Sequence, residues 1–185
     1  MKPSCNNRRK RLGQSLIEFT FVGIPLIFVL ISVFEVSRGM WMYHTLAYSA
    51  KVGVRYAIVH GINCANTPDN PNNCLVSMGP ATTPGTIAYV VAQAATGLDP
   101  VNTTLTFIDA GGTSTTCTLS SSTCTGTWPP YDATGATSLN AVGRLVRIDI
   151  RTPFNSMIAM LWPGSSPVSF ASGTLGATSQ DYIQF

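Results

Sequence analysis

"RRKRLGQSLIEFTFVGIPLIFVLISVFEV", Arg8 to Val36, sets a basic cluster ahead of an apolar run and places a carboxylate, Glu18, inside that run, with Glu35 at its far end. Every residue from Phe19 to Phe34 is uncharged, and Leu16 to Val36 is close to the ~20 residues an α-helix needs to cross a bilayer. An ionisable group at the bilayer centre costs about 2.5 to 3.5 kcal/mol on insertion scales, which makes Glu18 a candidate functional residue. The plainer alternative is an interfacial Glu18, two residues into the run, that snorkels back toward the cytoplasm. A cleavable secretory signal has an apolar core of about 7 to 15 residues followed by a small-residue cut site. The exit of this run, "EVSRGMWMYH", offers no such site.

The chain has 185 residues, 45% hydrophobic and 10% charged, which suits one anchor and one domain with a modest core. Its mean hydropathy of +0.22 arises mainly in the first third, while the remainder is rich in Thr, Ser, Gly and Asn. A net charge of +3 invites a nucleic-acid reading, but Lys2, Arg8, Arg9, Lys10 and Arg11 all precede the apolar run. Beyond it basic and acidic residues balance, so no basic stripe remains for phosphate contacts, and the leading cluster follows the positive-inside rule instead.

Helical periodicity continues past the apolar run. Met40, Tyr43, Ala47, Ala50, Val54 and Ala57 recur at steps of three and four, beside a polar stripe of His44, Tyr48, Lys51 and Arg55. One helix from about Gln14 to about Val59 is therefore expected, roughly 65 to 70 Å long, with its first half in lipid and its second packed on a domain. Pro25 removes one backbone hydrogen bond and predicts a kink near Phe21, which membrane helices tolerate.

Gly13, then "QSLIEF" with Glu18 five positions after the glycine, a basic leader before and an apolar helix after, resembles the type IV prepilin processing signal. With "LIEFTFVGIPL", "AYSAKVGVRYA" and the terminal "ASGTLGATSQD", the chain is similar to TadE-like minor pilins or pseudopilins of tight-adherence (Tad) pilus systems. The resemblance implies that a prepilin peptidase cuts after Gly13 and makes Gln14 the new N-terminus. Many type IV pilins have phenylalanine there, and Gln14 departs from that pattern. It also implies that Glu18 meets the free amine of a neighbouring subunit's first residue, so that two groups costly in lipid neutralise each other. The implied partners are the prepilin peptidase, other Tad pilins or pseudopilins, and an inner-membrane assembly platform. The implied location is the bacterial inner membrane, single-pass with the C-terminal domain in the periplasm, or an extracellular pilus. The chain then divides into a leader (1–13), a transmembrane half-helix (14–36), its extracytoplasmic continuation (37–59) and a domain with disulfide-stapled loops (60–185).

Removing Cys5 with the leader leaves Cys64, Cys74, Cys117 and Cys124 on the non-cytoplasmic side, where disulfides persist. Of three connectivities, the local one is favoured: Cys64 with Cys74 in the turn-rich "NCANTPDNPNNC", and Cys117 with Cys124 in "CTLSSSTC", which reads as a stapled hairpin. "TPGTIAYVVAQAATG" predicts a short helix from Thr86 to Ala95. Asn102 to Asp109 and Gly143 to Thr152 alternate as strands, with Val146, Ile148 and Ile150 inward and Arg147, Asp149 and Arg151 outward. "PFNSMIAML" suggests a helix with Pro153 at its first position, and "SPVSFASGTLGA" a last, glycine-interrupted strand. Gly111 to Ser138 reads as a long Thr- and Ser-rich loop in which Trp128, Pro129, Pro130 and Tyr131 form an exposed adhesive patch or Trp128 a buried anchor. The fold class is α+β: a long helix whose far half packs on a small antiparallel sheet.

Nothing in the sequence announces catalysis. Nucleophile-elbow, P-loop and dinucleotide fingerprints are absent, and no small-molecule substrate or cofactor is implied. The cysteine spacing does not suit zinc, His44 and His60 are not grouped with a second ligand, and the turn around Asp69 lacks the glycine and distal glutamate of an EF-hand. An enzyme would need a site assembled from Asp109, Asp149, Tyr89 or similar groups. Three classes therefore compete: a non-enzymatic pilin-like structural protein, which is preferred, a membrane-anchored periplasmic hydrolase or binding protein, and a secreted protein.

Overall fold

A computed structural model of the chain describes residues 7–61, 76–120, 124–129, 139–156 and 172–184. Helix α1 runs from Asn7 to Ile58, 52 residues, or about 78 Å at 1.5 Å per residue. It continues through Pro25. Between Gln14 and Val36 nearly every side chain is exposed, only Gly23, Ile31 and Glu35 being half-covered. A helix that is apolar on all sides and touches almost nothing of its own chain needs lipid or neighbouring helices as its solvent.

The far half of α1 is a core element. Leu46, Ser49, Ala50, Gly53, Val54, Ala57 and Ile58 are buried, while His44, Tyr48, Lys51 and Arg55 face outward as the periodicity predicts. Met40 and Tyr43 depart from the expected stripe: they are 55% and 47% exposed, because continuous packing on the domain begins about one turn further on, at Leu46. Helix α2, Ile87–Ala94, lies where expected; the Thr86 hydroxyl caps it by accepting from the Tyr89 amide at 3.1 Å. Its Ile87 and Val91 pack on α1 at Gly53, where a β-carbon would come within 2.6 Å of Val91 Cγ2 and 3.1 Å of Ile148 Cδ1. Only a residue without a side chain lets helix, helix and sheet meet there.

Four antiparallel strands form one sheet in the order β2-β1-β3-β4: β1 Thr104–Ile108, β2 Ser114–Thr118, β3 Leu145–Asn155 and β4 Ser172–Tyr182. The register places Cys117, Leu105, Ile150 and Ala177 in one row across the sheet, and Phe107 beside Ile148. All of these face the helices and are buried, together with Val146. The α+β expectation, a long apolar N-terminal helix followed by a small antiparallel sheet, holds.

Three expectations about elements need correction. The Thr/Ser-rich stretch from Gly111 is not all loop, since Ser114–Thr118 is β2, zipped onto β1. Pro153 does not start a helix, because β3 continues to Asn155 and Pro153 pairs with Thr174. Pairing of β3 with β1 ends at Arg151, so at Pro153 the strand has a named neighbour on one side only, where a residue lacking an N–H is tolerated. The last strand is also displaced toward the C-terminus: it extends to Tyr182, past the expected Ala177.

Cys117 and Cys124 are disulfide-bonded with their Cα atoms 5.5 Å apart. The bond ties the end of β2 to the segment carrying Trp128. That indole is buried and tilted against Phe107 at 5.1 Å between ring centroids, so Trp128 is an anchor and not part of an exposed patch. Cys64, Cys74 and Asp69 lie outside the described residues, as do Pro130, Tyr131 and the stretch from 157 to 171.

Candidate assembly site

Gly13 and Gln14 sit within α1, not in a preceding loop. The peptide bond between them is therefore helical, and a protease could reach it only after the first turns fray. Glycine favours that opening, since it is about 0.8 to 1 kcal/mol worse than alanine inside a helix. One turn on, Glu18 is exposed and accepts a hydrogen bond from Gln14 Nε2 at 3.2 Å. The structure thus joins two of the predicted site residues through one side-chain contact and leaves the carboxylate open to a neighbour.

The hydroxyl groups along this stretch are satisfied within the helix. Thr20, Ser32 and Ser37 each donate a hydroxyl hydrogen bond to the carbonyl four residues back, to Leu16, Phe28 and Val33, all at 2.8 Å. These bonds hide the hydroxyls from hydrocarbon. Of the two carboxylates in the run, Glu35 stands half-covered at the domain end, whereas Glu18 stands exposed at the other end, and this contrast gives Glu18 its weight.

At the far end of the span the C-terminal domain grips the helix. Arg38 donates from Nη2 to the carbonyl of Asn155 and lies over the Phe154 ring, 4.9 Å from its centroid. Phe154 in turn lies against Gly39, whose β-carbon position is 3.7 Å from the ring. Almost nothing in the sequence signals this clamp, because it depends on the continuation of β3 past Pro153. Glycine at position 39, on the face of a helix leaving the membrane, was the one available signal.

The solvent face of the sheet carries the other charged cluster. Arg147 forms two hydrogen bonds to Asp149, Nε to Oδ1 at 2.8 Å and Nη2 to Oδ2 at 2.7 Å. Arg147, Asp149 and Arg151 do share the outward face, yet Asp149 is only 6% exposed. It is flanked in its row by Thr106 and Thr178, and Thr106 is hydrogen-bonded onward to Thr116 at 3.0 Å. The hydrogen bonds from Arg147 hold the Asp149 carboxyl below the usual carboxylate range; burial pushes it up, while Thr178 and the charges of Arg147 and Arg151 pull it down.

A depressed native value means that the stabilisation is complete above the unfolded carboxylate value of about 3.9 and is lost as pH falls through the lower folded value. Asp149→Asn should cost on the order of 1 kcal/mol at neutral pH, after discounting for the half-exposed arginine. Melting curves should show the gap between variant and wild type closing below about pH 4. A gap that stays constant to pH 2 would remove the ion pair from the account.

The groups considered for an assembled enzyme site are spread over different layers. Asp149 is on the outer sheet face, Tyr89 is on α2 in the helical layer, and Asp109 closes the β1–β2 turn by accepting from the Gly111 and Thr113 amides at 2.9 Å. Among the described residues no group of three or more His, Cys, Asp or Glu side chains comes together.

A helix long and apolar enough to cross a bilayer, continuous with a small α+β domain, defines the class: a protein with one candidate membrane span among its described residues and one attached domain. Residues 13–55 match the family model described as TadE-like protein, in agreement with the resemblance read from the N-terminal stretch. The match begins at Gly13, covers Glu18 and the whole apolar run, and ends before the sheet begins. No curated protein and no solved structure is significantly similar to the chain.

Proposed function

We propose that the chain is a minor pilin or pseudopilin that takes part in assembling a Tad-type pilus for surface adhesion. The carrying observation is the TadE-like match over residues 13–55, which frames an exposed Glu18 near the start of an apolar helix whose hydroxyl groups bond to their own backbone. In this reading a prepilin peptidase removes residues 1–13 on the cytoplasmic side, and Gln14 becomes the first residue. The helix from Gln14 to Val36 resides in the bacterial inner membrane, and the C-terminal domain is in the periplasm. During assembly the helix moves sideways out of the lipid into a bundle of like helices. There Glu18 accepts the terminal ammonium of an adjoining subunit, and the contact sets the axial register between them. Attraction in a dry bundle offsets the desolvation of both groups only if they meet directly, which makes the pair a test of alignment.

The reading supports a structural role without chemistry of its own. Its test is the mass of the N-terminal peptide of protein purified from its natural host. Processing as proposed gives a chain starting at Gln14. An intact Met1 supports a plain membrane-anchored protein, and a start near Gly39 a secreted one; either result overturns the proposal.

A further inference from the structure

The end of the C-terminal domain nearest the apolar run is built from elements that all converge on one short length of α1. Strand β3 descends to it, ending where the Asn155 carbonyl accepts from Arg38 and Phe154 covers Gly39. Helix α2 descends beside it, with Val91 opposite Gly53 and, six residues later, Gly97 beneath the Trp41 indole. A β-carbon at Gly97 would lie 2.4 Å from that ring, and its φ of +83° is one that side-chain-bearing residues rarely adopt. The turn that follows is held tightly. Asp99 accepts from the Val101 amide at 3.0 Å and from Asn102 Nδ2 at 2.6 Å, and the Asp99 carbonyl takes the Thr103 hydroxyl at 2.6 Å. The Ser120 amide fastens the Pro100 carbonyl at 3.0 Å. This pinned turn carries Val101, 62% exposed, four residues beyond the Gly97 that packs under Trp41, itself 52% exposed.

Position relative to the bilayer follows from the helix. The apolar run ends at Val36, and Trp41 lies five residues further, about 7.5 Å along the axis. The headgroup layer on each face of a bilayer is about 5 to 7.5 Å thick beyond the hydrocarbon, so the Trp41 backbone stands at its outer edge with a side chain that leans back along the helix toward the lipid, and tryptophan is enriched at such interfaces. Arg38, two residues past the run, uses one of its five donor hydrogens on Asn155 and is at the depth of lipid phosphates.

We propose that this rim, made of Arg38, Trp41 and the Pro100–Val101 turn tip, is a lipid-contact surface that seats the C-terminal domain on the phospholipid headgroups of the bilayer its own helix crosses. The proposal rests on Leu16 to Val36 being a membrane span. Val101 and Trp41 enter the headgroup layer, Arg38 binds phosphate, and the sheet stands upright on the surface. The seat orients the domain while the protein is in the membrane and is given up when the helix leaves the lipid.

The test uses the full chain in vesicles of phosphatidylethanolamine and phosphatidylglycerol, with the photoreactive residue p-benzoylphenylalanine placed singly at position 28, 101 or 142. Val142 is 50% exposed at the opposite end of the sheet, next to the start of β3, and serves as a matched control. After illumination, mass spectrometry should find phospholipid adducts at positions 28 and 101 and none above background at 142. Lipid at 28 with none at 101, equal labelling at 101 and 142, or adducts at 101 with a second copy of the chain would each overturn the seat while leaving the span intact. Absence of lipid at 28 would overturn both.

Discussion

In a cell that assembles the fibre, the Glu18→Ala protein is expected to be trimmed at the wild-type bond, to reside in the membrane at least as well as the wild type, and to be missing from sheared fibres. The opposite directions of these effects are what make the variant informative. Removing a carboxylate from an apolar helix relieves an insertion penalty of up to about 2.5 to 3.5 kcal/mol, so anchoring cannot suffer. Incorporation suffers because the neighbouring ammonium is left buried and unpaired, and breaking such a pair costs about 3 to 5 kcal/mol, enough to exclude a subunit from a bundle. The Gln14 amide that reaches Glu18 at 3.2 Å is no substitute, since it carries no charge. Quantifying the protein in membrane and fibre fractions checks both halves. Wild-type levels in the fibre would reduce Glu18 to an interfacial residue and leave the registration mechanism without its central group.

Replacing Gly53 by leucine should have the largest effect on the C-terminal domain. The β-carbon alone meets Val91 at 2.6 Å and Ile148 at 3.1 Å, and both partners are fully buried. Alanine at such a site costs about 1 to 3 kcal/mol through overpacking, and three further carbons must force α2 off α1. A domain of this size has about 5 to 15 kcal/mol in hand, so Gly53→Leu consumes most of its stability. Thermal melts followed by near-ultraviolet circular dichroism should show Gly53→Ala melting several degrees below the wild type and Gly53→Leu without a cooperative transition. Membrane insertion, which depends on residues before position 37, should be unaffected. A Gly53→Leu protein that melts within a few degrees of the wild type would mean that the three-way crossing is looser than its distances imply.

What could be read from the sequence divides along physical lines. The span, the far end of α1, helix α2 and strands β1 and β3 were legible because each carries its own periodicity: an unbroken apolar run, a 3.6-residue stripe, or inward residues such as Val146, Ile148 and Ile150; the start of α1 lies seven residues before the expected Gln14. Strand β2 was not legible, since Cys117 is the only one of its five residues that is buried; its neighbours are Thr and Ser held by pairing with β1. The end of β3 was misread because Pro153 looks like a helix start, and only the three-dimensional fact that β1 has already ended explains why proline is tolerated there. At the candidate site the same contrast holds. Glu18 was conspicuous by its chemistry alone, whereas the Arg38–Phe154 clamp and the fit of Gly97 under Trp41 join residues more than fifty positions apart and leave no local pattern.

The dual use of α1 has one more consequence. Leu46, Ala50, Val54 and Ala57 are interior residues of the C-terminal domain and belong to the same helix that runs into the lipid. A nick between residues 37 and 41 would shed a body that keeps its central rod and stays folded, whereas a nick between residues 46 and 54 would withdraw that rod and leave the sheet's inner face bare. Separation of the domain from the apolar half of its helix is thus tied to where the cut falls, within a window scarcely one helical turn wide.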